Sequence, residues 1–149
     1  MSNETQLKPV PIQTGVGKFV FDQFPDGQHQ PLTVHYYRPP DLDENAPIIF
    51  VMHGVLRDGD RYRDRWRNHA VNHGFLLIAP EFDRDFYPAD VDYNLAGIVD
   101  SESDTDFNDE ENWAFHRIEL LFEAIHQSTP LTTSCFGIYG HSAGAQFVH

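Results

Sequence analysis

The stretch SCFGIYGHSAG, residues 134–144, decides the fold. Its opening, Ser134 to Tyr139, is a short apolar run of the kind that forms a strand buried on both faces of a parallel sheet. Gly140-His141-Ser142-Ala143-Gly144 then makes a G-x-S-x-G pentapeptide, and Ala143 to Val148 are mostly small or apolar, as the start of a helix would be. Strand, tight turn and helix in immediate succession lift a serine hydroxyl out at the C-terminal edge of a sheet. The turn is strained, so its flanking residues must be small, and Gly140 and Gly144 stand where side chains would collide. Composition alone yields the pentapeptide in roughly a few per cent of chains this long. The strand before it and the helix start after it give it meaning. The N–H of Ala143 falls at that helix start, where it can face a developing oxyanion.

Upstream, the same grammar repeats. Pro47 to Met52 is a continuous apolar run ending in His53-Gly54, and Phe75 to Ala79 is another, ended by Pro80. Between them Asp60 to Val71 carries Tyr62, Trp66 and Ala70 at helical spacing, with Gly74 as a stop. Asn108 and Glu111 form a capping-box pair that opens a helix with Phe115, Ile118, Phe122 and Ile125 on one face. Residues 81–107 are irregular. Gly15 to Asp22 and Leu32 to Arg38 alternate as strands around a Pro25-Asp26-Gly27 turn. The order predicts an α/β fold: a mostly parallel sheet, an N-terminal antiparallel strand pair, and helices on both faces. Residues 1–14 read as a flexible tail and 15–149 as part of one domain.

Charge and composition exclude several classes of function. The 149 residues carry a formal net charge of −13 and are 40% hydrophobic. Such a chain can build a core, and its surface repels phosphate backbones and anionic membranes. Neither nucleic acid nor a membrane is an expected partner. The lone Cys135 reads as a buried structural thiol and suits a reducing compartment. No signal peptide is legible at the start, so the expected location is cytoplasmic.

With the pentapeptide in its strand-turn-helix context, the sequence resembles the α/β-hydrolase superfamily from about Val16 onward. His53-Gly54-Val55-Leu56 supports this, because it follows the first buried strand, where that family places its oxyanion loop. The resemblance implies that Ser142 is the nucleophile and that the N–H of Val55 or Leu56 joins that of Ala143 in the oxyanion hole. It gives His53 and Gly54 a loop-shaping role, beside the elbow support of Gly140, His141 and Gly144. Val55 and Leu56 stand where some lipases have glycines. The phrase His53 to Arg57, with Tyr62 to Trp66 beyond it, is most similar to bacterial hydrolases of the polyhydroxybutyrate-depolymerase and feruloyl-esterase type. The implied activity is hydrolysis of a small-molecule carboxylic ester through an acyl-enzyme, without a cofactor.

The departure from the family pattern is as informative. The family orders its triad serine, acid, histidine. Beyond Ser142 only seven residues follow, without an acid, and His149 sits on a helix leading away from the hydroxyl. The sequence therefore reads as the first part of a truncated α/β-hydrolase, its acid and base expected on strands beyond residue 149. A non-catalytic remnant or interaction module is the alternative, and a bare sheet edge would favour self-association. Arg57 can line the site mouth, or pair with Asp58, Asp60 or Asp64. Glu81 and Asp83 are nearby loop carboxylates. His69 and His73 have a zinc-compatible spacing but no third ligand. Asp100 to Glu111 matches the carboxylate positions of a calcium loop, but Thr105 stands where glycine is needed. It reads as a solvated acidic loop, and no metal is expected.

Overall fold

The computed structural model describes residues 6–24 and 30–149. Five strands form one sheet: β1 (Gly15–Phe21), β2 (Leu32–Arg38), β3 (Ile48–Met52), β4 (Leu76–Glu81) and β5 (Gly137–Gly140). Their spatial order is β1-β2-β4-β3-β5. β1 pairs antiparallel with β2, and β2 antiparallel with β4. β3 lies between β4 and β5 and is parallel to both. The Pro25-Asp26-Gly27 turn lies outside the described residues.

The period of two in the apolar runs sorts side chains to two cores. Ile48, Phe50, Met52, Leu76 and Ile78 face one way, toward Ile118, Leu121 and Ile125 of helix α3 (Ala114–Ser128) and Phe147 of helix α4 (Ala143–Val148). Val51, Leu77 and Tyr37 face the other way, toward Tyr62, Trp66 and Ala70 of helix α1 (Gly59–His73). Helices thus cover both faces, as the alternation of elements predicts. Gly74 closes α1 in the left-handed conformation, at φ 68°, which glycine adopts without steric cost.

Several expectations need correction. Asn108 and Glu111 do not cap a helix. Glu110–Asn112 is a 3₁₀ turn, and α3 begins only at Ala114. Asn108 is used otherwise: its Nδ2 donates to Gly97 O and Asp100 Oδ1, and its carbonyl accepts from Trp113 Nε1. These bonds tie Asn108 to the preceding loop, and the N-cap position of α3 falls to Trp113, five residues on. α3 also buries Arg117 and Leu121, whereas Phe115 and Phe122 are only partly buried. Pro80 lies inside β4, paired with Val34 of β2 and beyond Phe50↔Ile78, where the pairing with β3 ends. β5 is half-exposed and shorter than Ser134 to Tyr139, because it has a strand partner on one side only among the described residues. Cys135 precedes it and is exposed, not buried.

The expected tail is not free over residues 6–14. Leu7, Val10 and Ile12 are buried. Val10 N–H donates to Ser128 Oγ of α3, and Tyr36 Oη donates to Pro11 O while accepting from Gln13 N–H. Residues 1–5 lie outside the described part. Among the described residues, no helix is long and apolar enough to cross a membrane.

Candidate active site

Two loops leave the same end of the sheet and meet there. The first is the elbow after β5. Ser142 adopts φ 57° and ψ −122°, a left-side conformation that disfavours any side chain, and it is solvent-exposed. The turn closes because its glycines let backbones touch. A methyl group on Gly140 would overlap the Gly144 carbonyl, and one on Gly144 would lie 2.6 Å from Met52 O and 2.7 Å from His53 O. The second glycine thus presses the start of α4 onto the end of β3. His141 is exposed and Ala143 buried.

The second loop is His53 to Arg57, after β3. Gly54 brings it beside the elbow: a methyl placed there would be 3.8 Å from Ser142 Cβ and 3.9 Å from His141 O. Val55 and Leu56 project outward, 51% and 73% exposed. Side chains, rather than glycine contacts, hold this loop. His53 is fully buried. Its Nε2 accepts the Phe82 N–H at 3.0 Å, which leaves Nδ1 as the protonated nitrogen, donating to Gly54 O at 2.9 Å. Burial pulls its pKa down to about 4, with Arg57 adding to the effect, so the ring is neutral at pH 7. Both nitrogens are committed to backbone. The ring braces this loop against Phe82 and has no free lone pair with which to act as a base.

Arg57 departs from expectation. It is buried and has φ 56°. Its guanidinium reaches across the fold to the carbonyls of Phe82, Tyr87 and Ala89, and lies 4.9 Å from the centre of the Tyr93 ring. It neither lines the mouth nor pairs with Asp58, Asp60 or Asp64. Burial lowers its pKa below the usual guanidinium range, and the neighbouring Arg84 adds to this.

Tyr93, which sequence reasoning missed, joins the two loops. It sits in the short helix α2 (Asp90–Tyr93) and is completely buried. Its hydroxyl donates to His53 O at 2.6 Å. Its ring stacks on His53 at 4.3 Å and on Phe147 of α4 at 5.4 Å. Burial raises the phenol's pKa well above the usual tyrosine range, so it remains a donor. Asn94, next in sequence, donates to Gln146 Oε1 of α4. No local signal marks Tyr93, which follows Asp90 and Asp92 in a polar stretch.

The remaining candidates serve the scaffold. Glu81 Oε1 accepts the Gly59 N–H at 3.0 Å and lies 3.4 Å from His35 Nε2, so it places negative charge at the start of α1. Asp83 Oδ1 accepts the Asp85 N–H in a local turn. His69 and His73 stack at 6.4 Å on α1. Among the described residues, no hydrogen bond links the Ser142 hydroxyl to a histidine or a carboxylate. His149, at the far end of α4, is exposed and its N–H is bonded to Ala145 O.

No family model matches the chain, and no curated protein does. Solved structures do. The poly(aspartic acid) hydrolase-1 of Sphingomonas sp. KT-1 aligns over 92% of this chain and 50% of its own, with 36% identity and a TM-score of 0.83. The poly(3-hydroxybutyrate) depolymerase LpqC of Bordetella parapertussis aligns over 91% and 46%, with 28% identity and a TM-score of 0.80. An S-formylglutathione hydrolase of Agrobacterium tumefaciens, at 18% identity and a TM-score of 0.59, shares the fold. The chain spans about half the length of each of these structures.

Proposed function

The chain is by its fold a member of the α/β-hydrolase superfamily, and from that premise we propose that it is the nucleophile-bearing part of a serine hydrolase acting on carboxylic esters. The observation that carries this reading is the conformation of Ser142. A serine held at φ 57° costs on the order of 1–3 kcal/mol, a strain that persists only where the surroundings impose it. Here two glycine contacts impose it, and the result is an exposed hydroxyl at the sheet edge, next to the His53–Arg57 loop.

In the proposed reaction Ser142 Oγ attacks the ester carbonyl. The N–H of Ala143, with that of Val55 or Leu56, donates hydrogen bonds to the negative charge that develops on the carbonyl oxygen. The alcohol leaves, and water hydrolyses the acyl-enzyme. Serine needs a base for both steps. His53 is committed to backbone, and among the described residues no hydrogen bond links the Ser142 hydroxyl to a histidine or a carboxylate, so we assign the base and its orienting acid to residues beyond these 149. Esters are favoured over an anionic polymer such as poly(aspartic acid) because the chain itself carries −13. The cytoplasmic assignment and self-association through the β5 edge belong to this proposal too.

The test is fluorophosphonate labelling of the 149-residue chain alone and of the longest product its gene encodes. Labelling of the longer product at Ser142, lost in Ser142→Ala, is the expected result, with none on the chain alone. Labelling that survives Ser142→Ala would remove Ser142 as nucleophile. A longer product that never labels would favour a non-catalytic remnant.

A further inference from the structure

Away from the elbow, the start of α3 holds a second buried arginine, and it is satisfied far less well than Arg57. Arg117 is only 2% exposed. Its Nη2 donates to Gln30 Oε1 at 2.9 Å, but Nε and Nη1 are buried without any acceptor. Three of the five guanidinium N–H bonds are therefore unused. The rings of Phe24, at 4.3 Å, and Tyr87, at 5.9 Å, flank the cation. Such contacts offset only part of the cost of withdrawing a charge from water. Among the described residues Arg117 makes no ion pair.

The guanidinium lines a cavity of about 220 Å³, together with the amides of Gln30, Asn108 and Asn112 and the carboxylates of Asp92 and Asp100. At a share of ~30 Å³ per water, this has room for on the order of six to eight non-hydrogen atoms. Its charges define what fits. The guanidinium calls for an anionic oxygen. Asp92 and Asp100 each use one oxygen on a protein donor, to Ala89 N–H and Asn108 Nδ2, and retain accepting capacity. They repel a phosphate dianion and welcome a hydroxyl or an ammonium group.

We propose that the Arg117 cavity binds a small carboxylate that also carries a hydrogen-bond donor, a hydroxy acid or an amino acid, with its carboxylate on Arg117 and its donor toward Asp92 or Asp100. Ser142 does not line this cavity, so the site is separate from the proposed catalytic one and does not depend on it.

The test is thermal denaturation of the chain with lactate, alanine, propionate, phosphate and sodium chloride at matched ionic strength. Ligand that binds only the folded state raises Tm saturably. Lactate or alanine is expected to do so, with propionate weaker by about tenfold for want of a donor. Lactate and alanine separate the two ligand classes. Arg117→Met should abolish the shift, and Asp92→Asn or Asp100→Asn, whichever carboxylate takes the donor, should bring lactate and propionate together. If Arg117→Met does not fold, the two aspartate variants still decide. Three results would overturn the proposal: no saturable shift with either ligand, an equal shift with chloride or phosphate, or unchanged discrimination in both Asp92→Asn and Asp100→Asn.

Discussion

The two loops that meet at Ser142 are held in opposite ways. The elbow is fixed by backbone: Gly140 against Gly144, Gly144 against the carbonyls of Met52 and His53. The His53–Arg57 loop is fixed by side chains that reach Phe82, Tyr87, Ala89 and Tyr93. The first device needs glycines at set positions and nothing else, so it tolerates no added atom. The second uses desolvated polar groups whose whole value lies in their partners, so it is sensitive to charge and pH. One site therefore carries two distinct vulnerabilities.

The largest effect should come from Gly140→Ala. The added methyl has nowhere to go but into the Gly144 carbonyl, and we expect a loss of about 4 kcal/mol in urea unfolding, measured below the concentration at which the chain associates. A loss under ~1 kcal/mol would mean that the elbow relaxes freely. Arg57→Met should follow at about 3 kcal/mol, because it strands the buried carbonyls of Phe82 and Tyr87 and loses the contact to that of Ala89. Arg57→Lys should recover little, since an ammonium group cannot spread to three acceptors. Full recovery by lysine would show that charge alone, not the planar fork, holds the loop.

His53 provides the pH test. Its folded pKa, about 4, is below the ordinary value of 6.5, so the unfolded chain takes up the proton first. The stability it contributes is complete above pH 6.5 and falls as pH drops toward 4, by about 3 kcal/mol. The stability–pH curve of His53→Gln should be flatter than wild type by that amount over this window. Parallel curves would contradict the buried neutral imidazole. The smallest effect has the opposite sign. Ser142→Gly should raise stability by about 1 kcal/mol, because glycine accepts φ 57° without strain. No gain, or a loss, would place the strain elsewhere.

The same contrast explains what the sequence could reveal. β3 and β4 are legible because two-sided burial leaves a continuous apolar run, and the elbow because Gly140, Ser142 and Gly144 fall within one pentapeptide. Arg57 and Tyr93 are not. Arg57 is followed by Asp58 and Asp60, which suggests local ion pairs, whereas its true acceptors are backbone carbonyls 25 to 32 positions on. Tyr93 lies among acidic residues and 40 positions from the carbonyl it holds. The start of α3 was misplaced for a related reason. Asn108 and Glu111 have the spacing of a cap, but Asn108 is bound into the loop by Gly97 and Asp100, and these contacts 8 and 11 positions back are invisible in one dimension.

The strand order has a consequence in time. β1 and β2 first pair at Phe21↔Leu32, only 11 positions apart, whereas β5 reaches β3 at Ile49↔Gly137, 88 positions apart. Closing a chain segment eight times longer costs about 2 kcal/mol more in entropy, and contacts of that separation slow folding. The elbow follows β5 directly, so the strained serine is expected to be acquired late, after the antiparallel pair has formed. Pulsed hydrogen exchange reads this order: the Val34 amide should gain protection before that of Tyr139, and the reverse would exclude it.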